Sequence, residues 1–394
     1  MEASWTEVKS YFADLHIHVG RDSEGRPVKI TGARSLTLTN IVKEASRTKG
    51  LDLVGVIDAQ SPAVIQEIKS LLASGEAMEQ DDGGIVYENT LLVLGSEIEI
   101  YDALCKGPIH VLCYFPYLKD MEKFSDWLSK KMKNVSLSTQ RFYGTGLELQ
   151  GYVNQNKGLF VPAHIFTPFK SLYGKGVNRS LEEVFDPRMI DAVELGLSAD
   201  TAMADKILEL ERYTYLTNSD AHSLGNLARE YQKVRMEKPS FLELSKVMRM
   251  EQGRGVLANY GLDPRMGKYH KTVCAYCLQA VSLGEATCPN CHSKKIVKGV
   301  YDRIEELKSA SKENRARPAY IHQVLLSSIP GIGKKTYQRL IDRFGSEMNV
   351  VHQASTVELE AFMPAKSLEI LNRMRAGRLS VKAGGGGKYG SIDI

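Results

Sequence analysis

Seven short apolar runs, separated by longer segments of helical periodicity, constrain the fold of this chain more than any other feature. Their alternation over residues 11–223 predicts parallel strands joined by helical crossovers, hence an α/β sheet or a closed barrel. Seven strands suit a barrel, whose working side chains lie at the carboxyl ends of the strands. The predicted strands are Tyr11–Val19, Asp52–Asp58, Leu91–Ile100, Ile109–Phe115, Leu159–Ile165, Ile190–Leu195 and Tyr213–Ser219. The predicted helices between them are Thr39–Lys49, Ala63–Ala73, Lys119–Lys133 and Ala199–Arg212.

The length of the chain predicts several domains, because 394 residues exceed what one ordinary core accommodates. We expect the α/β barrel over residues 1–255, a small cysteine module over 265–300, and a helical domain over 301–394 that ends in a Gly-rich tail.

A hydrophobic content of 43% and a charged content of 25% are typical of a soluble globular protein. The N-terminus lacks the apolar core of a signal peptide, and no run approaches the roughly 18 apolar residues of a membrane span. These features predict a cytoplasmic protein.

The first predicted strand holds an aspartate and two histidines at alternate positions. Asp14, His16 and His18 share one face of the strand, because successive side chains point to opposite faces. Two imidazoles that project together can bind one Zn or Mn ion. Either histidine alone would be assigned to the core, but the pair beside an aspartate favours metal binding. Asp220 and His222 repeat the pattern just after the seventh strand.

Metal-binding side chains also lie at the ends of the strands between these two arms. Each alone is ordinary, since polar residues commonly end a strand, but the complete set indicates a shared site. A mixture of imidazoles and carboxylates suits a cluster that activates water, in which a second metal stabilises the phosphoryl oxygens. This mixture accepts Zn, Mn or Mg, so we expect two to three divalent metals of unspecified identity. These additional residues are Asp58, Glu97, His110, His164 and Glu194.

The order of these groups along the chain resembles the polymerase-and-histidinol-phosphatase (PHP) superfamily: HxH, a strand-end Asp, an isolated Glu, two separate His and a final DxH. The resemblance implies a distorted (β/α)7 barrel with a two- or three-metal phosphoesterase site. The resemblance implies that Glu97 is a bridging carboxylate and that Asp220 binds the same metal as His16 and His18. The implied catalytic residues are therefore Glu97, Asp220, His16 and His18. The implied ligands are His16, His18, Glu97, His110, His164, Asp220 and His222, with Asp58 and Glu194 as further candidates.

One position departs from the pattern of the superfamily. After the second strand the family often has Asp-His, whereas this chain has Asp58 followed by Ala59. The third metal position therefore lacks a histidine. Asp22 or Glu24 on the loop after the first strand could replace it.

Four of the six cysteines form a second metal-binding pattern. Cys274 and Cys277 make one CxxC pair, and Cys288 and Cys291 make another after ten intervening residues. Four thiolates at this spacing complete a closed tetrahedral zinc site. Because a closed site has no free coordination position, the predicted zinc is structural; redox activity is the minor alternative.

A glycine-containing turn between two helical segments predicts a DNA-backbone contact near the C-terminus. The turn reads Ser-Ile-Pro-Gly-Ile-Gly-Lys-Lys over 328–335, and it predicts a helix–hairpin–helix whose free amides hold a phosphate. Residues 294–394 contain 18 Lys and Arg against 10 Asp and Glu, whereas residues 1–293 contain 33 against 37. This surplus favours nucleic-acid binding, although a solvated charged face could show the same balance. The predicted DNA-binding residues are Pro330, Gly331, Gly333, Lys334 and Lys335; residues 362–366 form a weaker second candidate.

Taken in order, the barrel, the cysteine module and the basic hairpin resemble a bacterial DNA-repair nuclease of the PHP superfamily over essentially the whole chain. The resemblance implies an endonuclease that cuts 5′ to uracil, hypoxanthine, xanthine or an abasic site and leaves a 3′-hydroxyl and a 5′-phosphate. Its partners would be DNA containing these lesions and other repair proteins.

Enzymes that inspect a base commonly flip it into a pocket. Candidates for that pocket are Phe166, Phe169, Tyr173 and Lys175, although aromatic residues near strand ends more often belong to the core.

Two other classes of protein remain open at this point. A small-molecule phosphatase of the same superfamily would use the barrel but would have no use for a basic hairpin domain. A non-catalytic DNA-binding scaffold would retain the hairpin but would have no reason to keep nearly every metal ligand.

Overall fold

The computed structural model describes residues 8–267, 269–282, 284–309, 316–384 and 390–393. Most of the Gly-rich tail falls outside these residues. In chain order the strands are Lys9–Ile17 (β1), Leu53–Val56 (β2), Ala77–Glu79 (β3), Ile85–Tyr87 (β4), Thr90–Ile100 (β5), Ile109–Phe115 (β6), Arg141–Phe142 (β7), Leu159–Pro162 (β8), Ala192–Glu194 (β9), Thr214–Leu216 (β10), Tyr231–Met236 (β11), Gly255–Gly261 (β12), Val273–Cys274 (β13), Ile296–Val297 (β14), Ala319–His322 (β15), Val381–Lys382 (β16) and Ser391–Ile392 (β17).

The α-helices are shorter on average than the sequence predicts. They are Leu38–Lys43 (α1), Pro62–Ser74 (α2), Leu118–Ser129 (α3), Gly146–Gln155 (α4), Thr201–Ala204 (α5), Phe241–Arg249 (α6), Val300–Leu307 (α7), Lys334–Phe344 (α8), Glu347–His352 (α9), Thr356–Glu360 (α10) and Ala365–Arg375 (α11). The predicted helix Ala199–Arg212 is wrong over most of its length, since it forms only α5 and a 3-10 turn at Leu208–Leu210. Asp205 follows the last residue of α5, and its carboxylate accepts hydrogen bonds from Tyr215 and Arg317, so tertiary contacts override the local periodicity.

The seven predicted strands correspond to β1, β2, β5, β6, β8, β9 and β10, which follow one another around a barrel. β1, β2 and β5 pair in parallel, and β9 pairs in parallel with β10. Backbone hydrogen bonds connect β8 with β9, and a bridge from Ile17 to Ala221 closes the ring. The structure therefore confirms the predicted α/β barrel.

One strand of the barrel runs against the predicted direction. β6 is antiparallel to both of its neighbours, β5 and β8. The start of β6 therefore lies at the rim where the parallel strands end. This reversal places His110, the second residue of β6, beside side chains from the carboxyl ends of other strands.

The C-terminal part of the chain is joined to the barrel through the same sheet. β11 pairs with β1, β12 pairs with β11, and β15 pairs in parallel with β12. Helices α8 to α11 enclose a separate hydrophobic core that includes Leu326, Leu340, Val350 and Leu371. The domain limits given above stay a prediction. Among the described residues, we find no helix with the length and apolar character needed to cross a membrane.

Candidate functional site

Three side chains, two from the start and one from the end of the barrel segment, form a first group of candidate metal ligands. His16 and His18 project from β1 and its end, and Asp220 follows β10. The Nε2 atoms of His16 and His18 lie 3.5 and 3.4 Å from the same carboxylate oxygen of Asp220. One ligand atom from each residue lies within 4.8 Å of the others. This triad can hold one divalent ion.

A second triad lies beside the first and consists of Glu97 on β5, His110 on β6 and His164 after β8. Glu97 Oε1 is 2.9 Å from His110 Nδ1 and 3.2 Å from His164 Nε2. Its two carboxylate oxygens also lie 3.7 Å from His16 Nε2 and 3.6 Å from His18 Nε2. Glu97 thus stands between the two triads, in a position to bridge two ions.

Two carboxylates orient the first pair of histidines from behind. Glu194 accepts from His16 Nδ1 at 3.0 Å, and Asp58 accepts from His18 Nδ1 at 3.0 Å. Each contact turns the opposite nitrogen, Nε2, towards Asp220 and Glu97. The structure therefore places Asp58 and Glu194 outside the ligand atoms, where they set the orientation and tautomer of the rings.

The described residues of this cluster fit a set of divalent metals. Nε2 of His16 is buried without a hydrogen-bond partner in the described part of the chain. Buried polar atoms are rarely left unpaired, so an ion is the expected partner. Burial opposes ionisation of Glu97, but His110 and His164 hold its pKa well below the ordinary value. Burial likewise opposes ionisation of Asp220, and His16 and His18 hold its pKa well below the ordinary value, so both carboxylates stay charged.

Two of the ligands sit in a strained backbone conformation. The φ angles of His164 and Asp220 are +31° and +45°, in the left-handed region that non-glycine residues rarely adopt. Gly196 makes the position of His164 possible, because a Cβ atom there would lie 2.7 Å from the Cβ of His164. Strain of this kind is held in place by surrounding contacts and clusters at functional sites.

Several other side chains named from the sequence lie near the cluster but outside the two triads. His222 Nε2 is 3.3 Å from Asp220, and its ring is about one-third exposed. Asp14 accepts backbone hydrogen bonds from Ser219 and Ala228, which hold its carboxylate away from the two triads. Asp22 bonds to Arg26 and to the backbone of its own loop, and Glu24 pairs with Arg26. Neither carboxylate therefore replaces the missing histidine at position 59.

The cluster opens into a cavity of about 510 Å³. Three positively charged side chains that were not identified from the sequence line this cavity. Lys29 lies 3.5 Å from Glu97 and donates to Thr139 at 2.7 Å. Lys170 pairs with Glu99 at 2.9 Å. Arg229 donates to the carbonyls of Ser219 and Asp220 at 2.6 and 3.1 Å. These residues lie on loops or follow strands without a motif, so only their position around the cavity identifies them.

The four candidates for a base pocket lie in different environments: two are in the hydrophobic core, and only one lines the cavity. Phe166 and Tyr173 stack on each other in the hydrophobic core, with ring centroids 5.5 Å apart. Phe169 is 47% exposed and lines the cavity, where it meets Tyr269 edge to face. Lys175 Nζ lies 5.5 Å from the centroid of the Phe169 ring, and Lys175 does not line the cavity. Of the four, Phe169 alone faces the cavity, together with Tyr269, which the sequence did not suggest.

The cysteine module brings its four sulfurs together as predicted. Cys274 Sγ and Cys291 Sγ lie 3.5 Å apart, as do Cys277 Sγ and Cys288 Sγ, and all four are within 4.8 Å of one another. The backbone amide of Gln279 lowers the pKa of Cys277. The antiparallel pair β13–β14 anchors the module next to α7. The arrangement fits one structural zinc ion.

The predicted glycine turn and the helix after it form, but the helix predicted before the turn is wrong, since that segment contains, among its described residues, only one 3-10 turn. This 3-10 turn is Leu326–Ser328, and α8 begins directly after Gly333. Gly331 has φ of +91°, and a Cβ atom there would lie 2.4 Å from Ser367 Oγ. Gly333, Lys334 and Lys335 are exposed, so the first amides of α8 are accessible to a phosphate.

The chain is similar over almost its whole length to other proteins in sequence and, for two of them, in structure. It is 51% identical over 385 residues to the uncharacterized protein YqxK of Bacillus subtilis, covering 98% of this chain and 100% of that one. It is 32% identical to the lesion-specific endonuclease PfuEndoQ of Pyrococcus furiosus, with a TM-score of 0.84 and coverage of 98% and 96%. A structure of endonuclease Q with a 27-mer duplex that has an abasic lesion at the active site matches with 31% identity, a TM-score of 0.82 and coverage of 98% and 97%. No protein-family model matches the chain.

Proposed function

The chain belongs to the endonuclease Q family, and from that premise we propose that it is a metal-dependent DNA repair endonuclease. The membership confirms the resemblance that the order of the three modules suggested. The observation that supports the activity best is the position of Glu97 between two triads of metal ligands at the floor of an open cavity. A cluster of this kind suits hydrolysis of a phosphodiester.

We propose that the substrate is DNA with an abasic site or a deaminated base, namely uracil, hypoxanthine or xanthine. Cleavage would occur 5′ to the lesion and leave a 3′-hydroxyl and a 5′-phosphate. The abasic lesion in the related complex supports a substrate with a damaged nucleotide. Deaminated bases rest on the family resemblance alone.

The residues of the chain have separate tasks in the proposed reaction. His16, His18 and Asp220 would hold one divalent ion, and Glu97, His110 and His164 a second, with Glu97 shared. Divalent ions bound there would supply charge neutralisation of the phosphate and activation of water.

Residues around the two triads would orient the ligands and the substrate. Glu194 and Asp58 fix the two histidines of β1 by accepting from their Nδ1 atoms. Lys29 and Arg229 would bind the non-bridging oxygens of the phosphate, since both line the cavity as cations. The exposed amides of Gly333 and Lys334 would hold the DNA backbone at a distance from the cut.

The test uses end-labelled duplexes that contain one uracil, one hypoxanthine, one abasic site or no damage, each with and without Mg²⁺ or Mn²⁺. We expect metal-dependent nicking at the phosphate 5′ to each lesion and none of the undamaged duplex. Equal cutting of undamaged DNA would leave a nuclease but remove the repair function. Hydrolysis of free phosphomonoesters without nicking would favour the small-molecule phosphatase.

A further inference from the structure

A second cavity, of about 710 Å³, adjoins the cavity over the metal cluster. Three side chains, Arg229, Leu262 and Met266, line both spaces. Arg229 is fixed there by its bonds to the carbonyls of Ser219 and Asp220. The two cavities therefore adjoin each other across these three side chains, on the side of the first triad where Arg229 contacts the backbone of Asp220.

Residues of the hairpin and of the C-terminal strand pair β16–β17 together line the far side of the second cavity. Ser328 and Pro330 come from the hairpin, whereas Lys382 and Ser391 come from β16 and β17. The strand pair is held against the segment after β12, where Gly384 N donates to Arg265 O at 2.7 Å and Gly390 N donates to Met266 O at 2.9 Å. The last described residues of the chain thus form part of a defined surface next to the active site.

The lining of the second cavity suits a phosphodiester chain. Its charged side chains among the described residues are Arg229 and Lys382, with no carboxylate in the described lining. Lys382 pairs with Asp393 at 3.4 Å, but both side chains are more than half exposed, so exchange of that partner for a phosphate costs little. The remaining lining is mostly apolar, including Leu262, Met266 and Ile392, which can contact deoxyribose.

We propose that this second cavity binds the backbone of the DNA strand that flanks the lesion, with Lys382 in contact with a phosphate. The C-terminal strand pair is then a wall of the DNA channel, and the hairpin lies at its outer end. Arg229 lies between the scissile position and the flanking phosphates. This inference rests on the proposed function for the identity of the ligand.

A pair of charge reversals tests the channel. Lys382→Glu is compared with Lys69→Glu, since Lys69 on α2 also forms an exposed ion pair, with Glu122, and does not line the cavities described here. Binding of the full chain to a lesion-containing duplex is measured by fluorescence anisotropy over a range of salt concentrations without added divalent metal. We expect Lys382→Glu to weaken binding about fivefold or more and to reduce the slope of log Kd against log salt by about one, as for the loss of one phosphate contact. Lys69→Glu should change neither quantity.

A second variant fills the cavity without changing its charge. Ser391→Trp places a large side chain at the wall and should weaken binding, whereas Ser70→Trp on the outer surface of α2 should not; thermal melting checks that both variants fold. Equal affinity and equal salt slope for Lys382→Glu and Lys69→Glu would overturn the channel. Failure of the wild-type chain to nick any lesion duplex would instead contradict the proposed function, and the comparison of binding would still decide the role of the cavity.

Discussion

The two candidate metal-binding clusters of this protein, one of histidines and carboxylates and one of cysteines, differ mainly in how accessible they are. The histidine–carboxylate cluster lies at the floor of a cavity of about 510 Å³, and its ligands come from strands far apart in sequence. The four cysteines of the other cluster come from one 18-residue segment, and their sulfur atoms lie within 4.8 Å of one another. An open cluster can admit a phosphate and water, whereas a closed set of four thiolates can only stabilise the local fold.

The two clusters also differ in what supports them. The open cluster depends on side chains behind its ligands, such as Asp58 and Glu194. The cysteine module depends on two tight turns and a short strand pair. We therefore expect the open cluster to be sensitive to distant substitutions, and the closed one to fail only when a sulfur is lost.

The largest expected effect separates catalysis from binding at the open cluster. Asp220→Asn preserves shape but removes the charge that lies 3.4 Å from His18 Nε2 and 3.5 Å from His16 Nε2. We expect cleavage to fall by at least about 10²–10³-fold, the usual cost of losing one preorganised electrostatic contact. DNA affinity measured by anisotropy and the zinc of the cysteine module should be unchanged. Asp120→Asn on α3 is the control, and full activity of Asp220→Asn would contradict the assignment of the cluster.

The closed cluster is broken by Cys288→Ser. One zinc ion per chain should be lost, as measured by elemental analysis, because three thiolates cannot complete the tetrahedral site. The segment 269–299 should then become susceptible to limited proteolysis, while metal bound at the histidine cluster is retained. Cys105→Ser, at a buried thiol outside the module, should keep the zinc. Retention of zinc by Cys288→Ser would argue against a structural site.

A smaller effect is expected from the carboxylate behind His18. Asp58→Asn weakens the hydrogen bond to His18 Nδ1 and so loosens the orientation of Nε2. Loss of such a partner typically costs about 10–100-fold in metal affinity or activity. When the cleavage rate is measured against divalent metal concentration, the variant should need a higher concentration for half-maximal cleavage than the wild type. Asp22→Asn, a buried carboxylate on the same rim that bonds to Arg26, should leave the requirement unchanged.

The smallest expected effect comes from the glycine that packs against His164. In Gly196→Ala the new methyl group would meet the Cβ of His164 at 2.7 Å, at a φ angle of +76° that disfavours alanine. We expect about a tenfold loss of cleavage rate through displacement of His164, since small displacements at an active site are costly. Gly151→Ala in α4, where a Cβ atom meets nothing within 4 Å, should behave like the wild type. Equal rates for the two variants would show that His164 tolerates the shift.

Local pattern was sufficient for the parts of the site that lie on one strand or in one short segment. His16 and His18 stand at alternate positions of β1, and the cysteines at fixed spacing, so each group is recognisable without a fold. The seven strands were recognisable for the same reason. The pattern could not show that Asp58 and Glu194 stand behind the histidines, because a strand-end carboxylate looks the same in either position.

The three modules, the barrel class, the four clustered sulfurs and most of the candidate metal ligands could be predicted from the sequence, because these depend on periodicity and spacing. Only the tertiary structure decided which side chains meet. It reversed β6 and so brought His110 to the rim, placed Glu97 between two triads, and surrounded the cavity with Lys29, Lys170 and Arg229. It also joined that cavity to one bounded by the hairpin and the C-terminal strands. Contacts between residues 100 or more positions apart leave no local signal, since they arise from strand order and loop packing and not from neighbours in the chain.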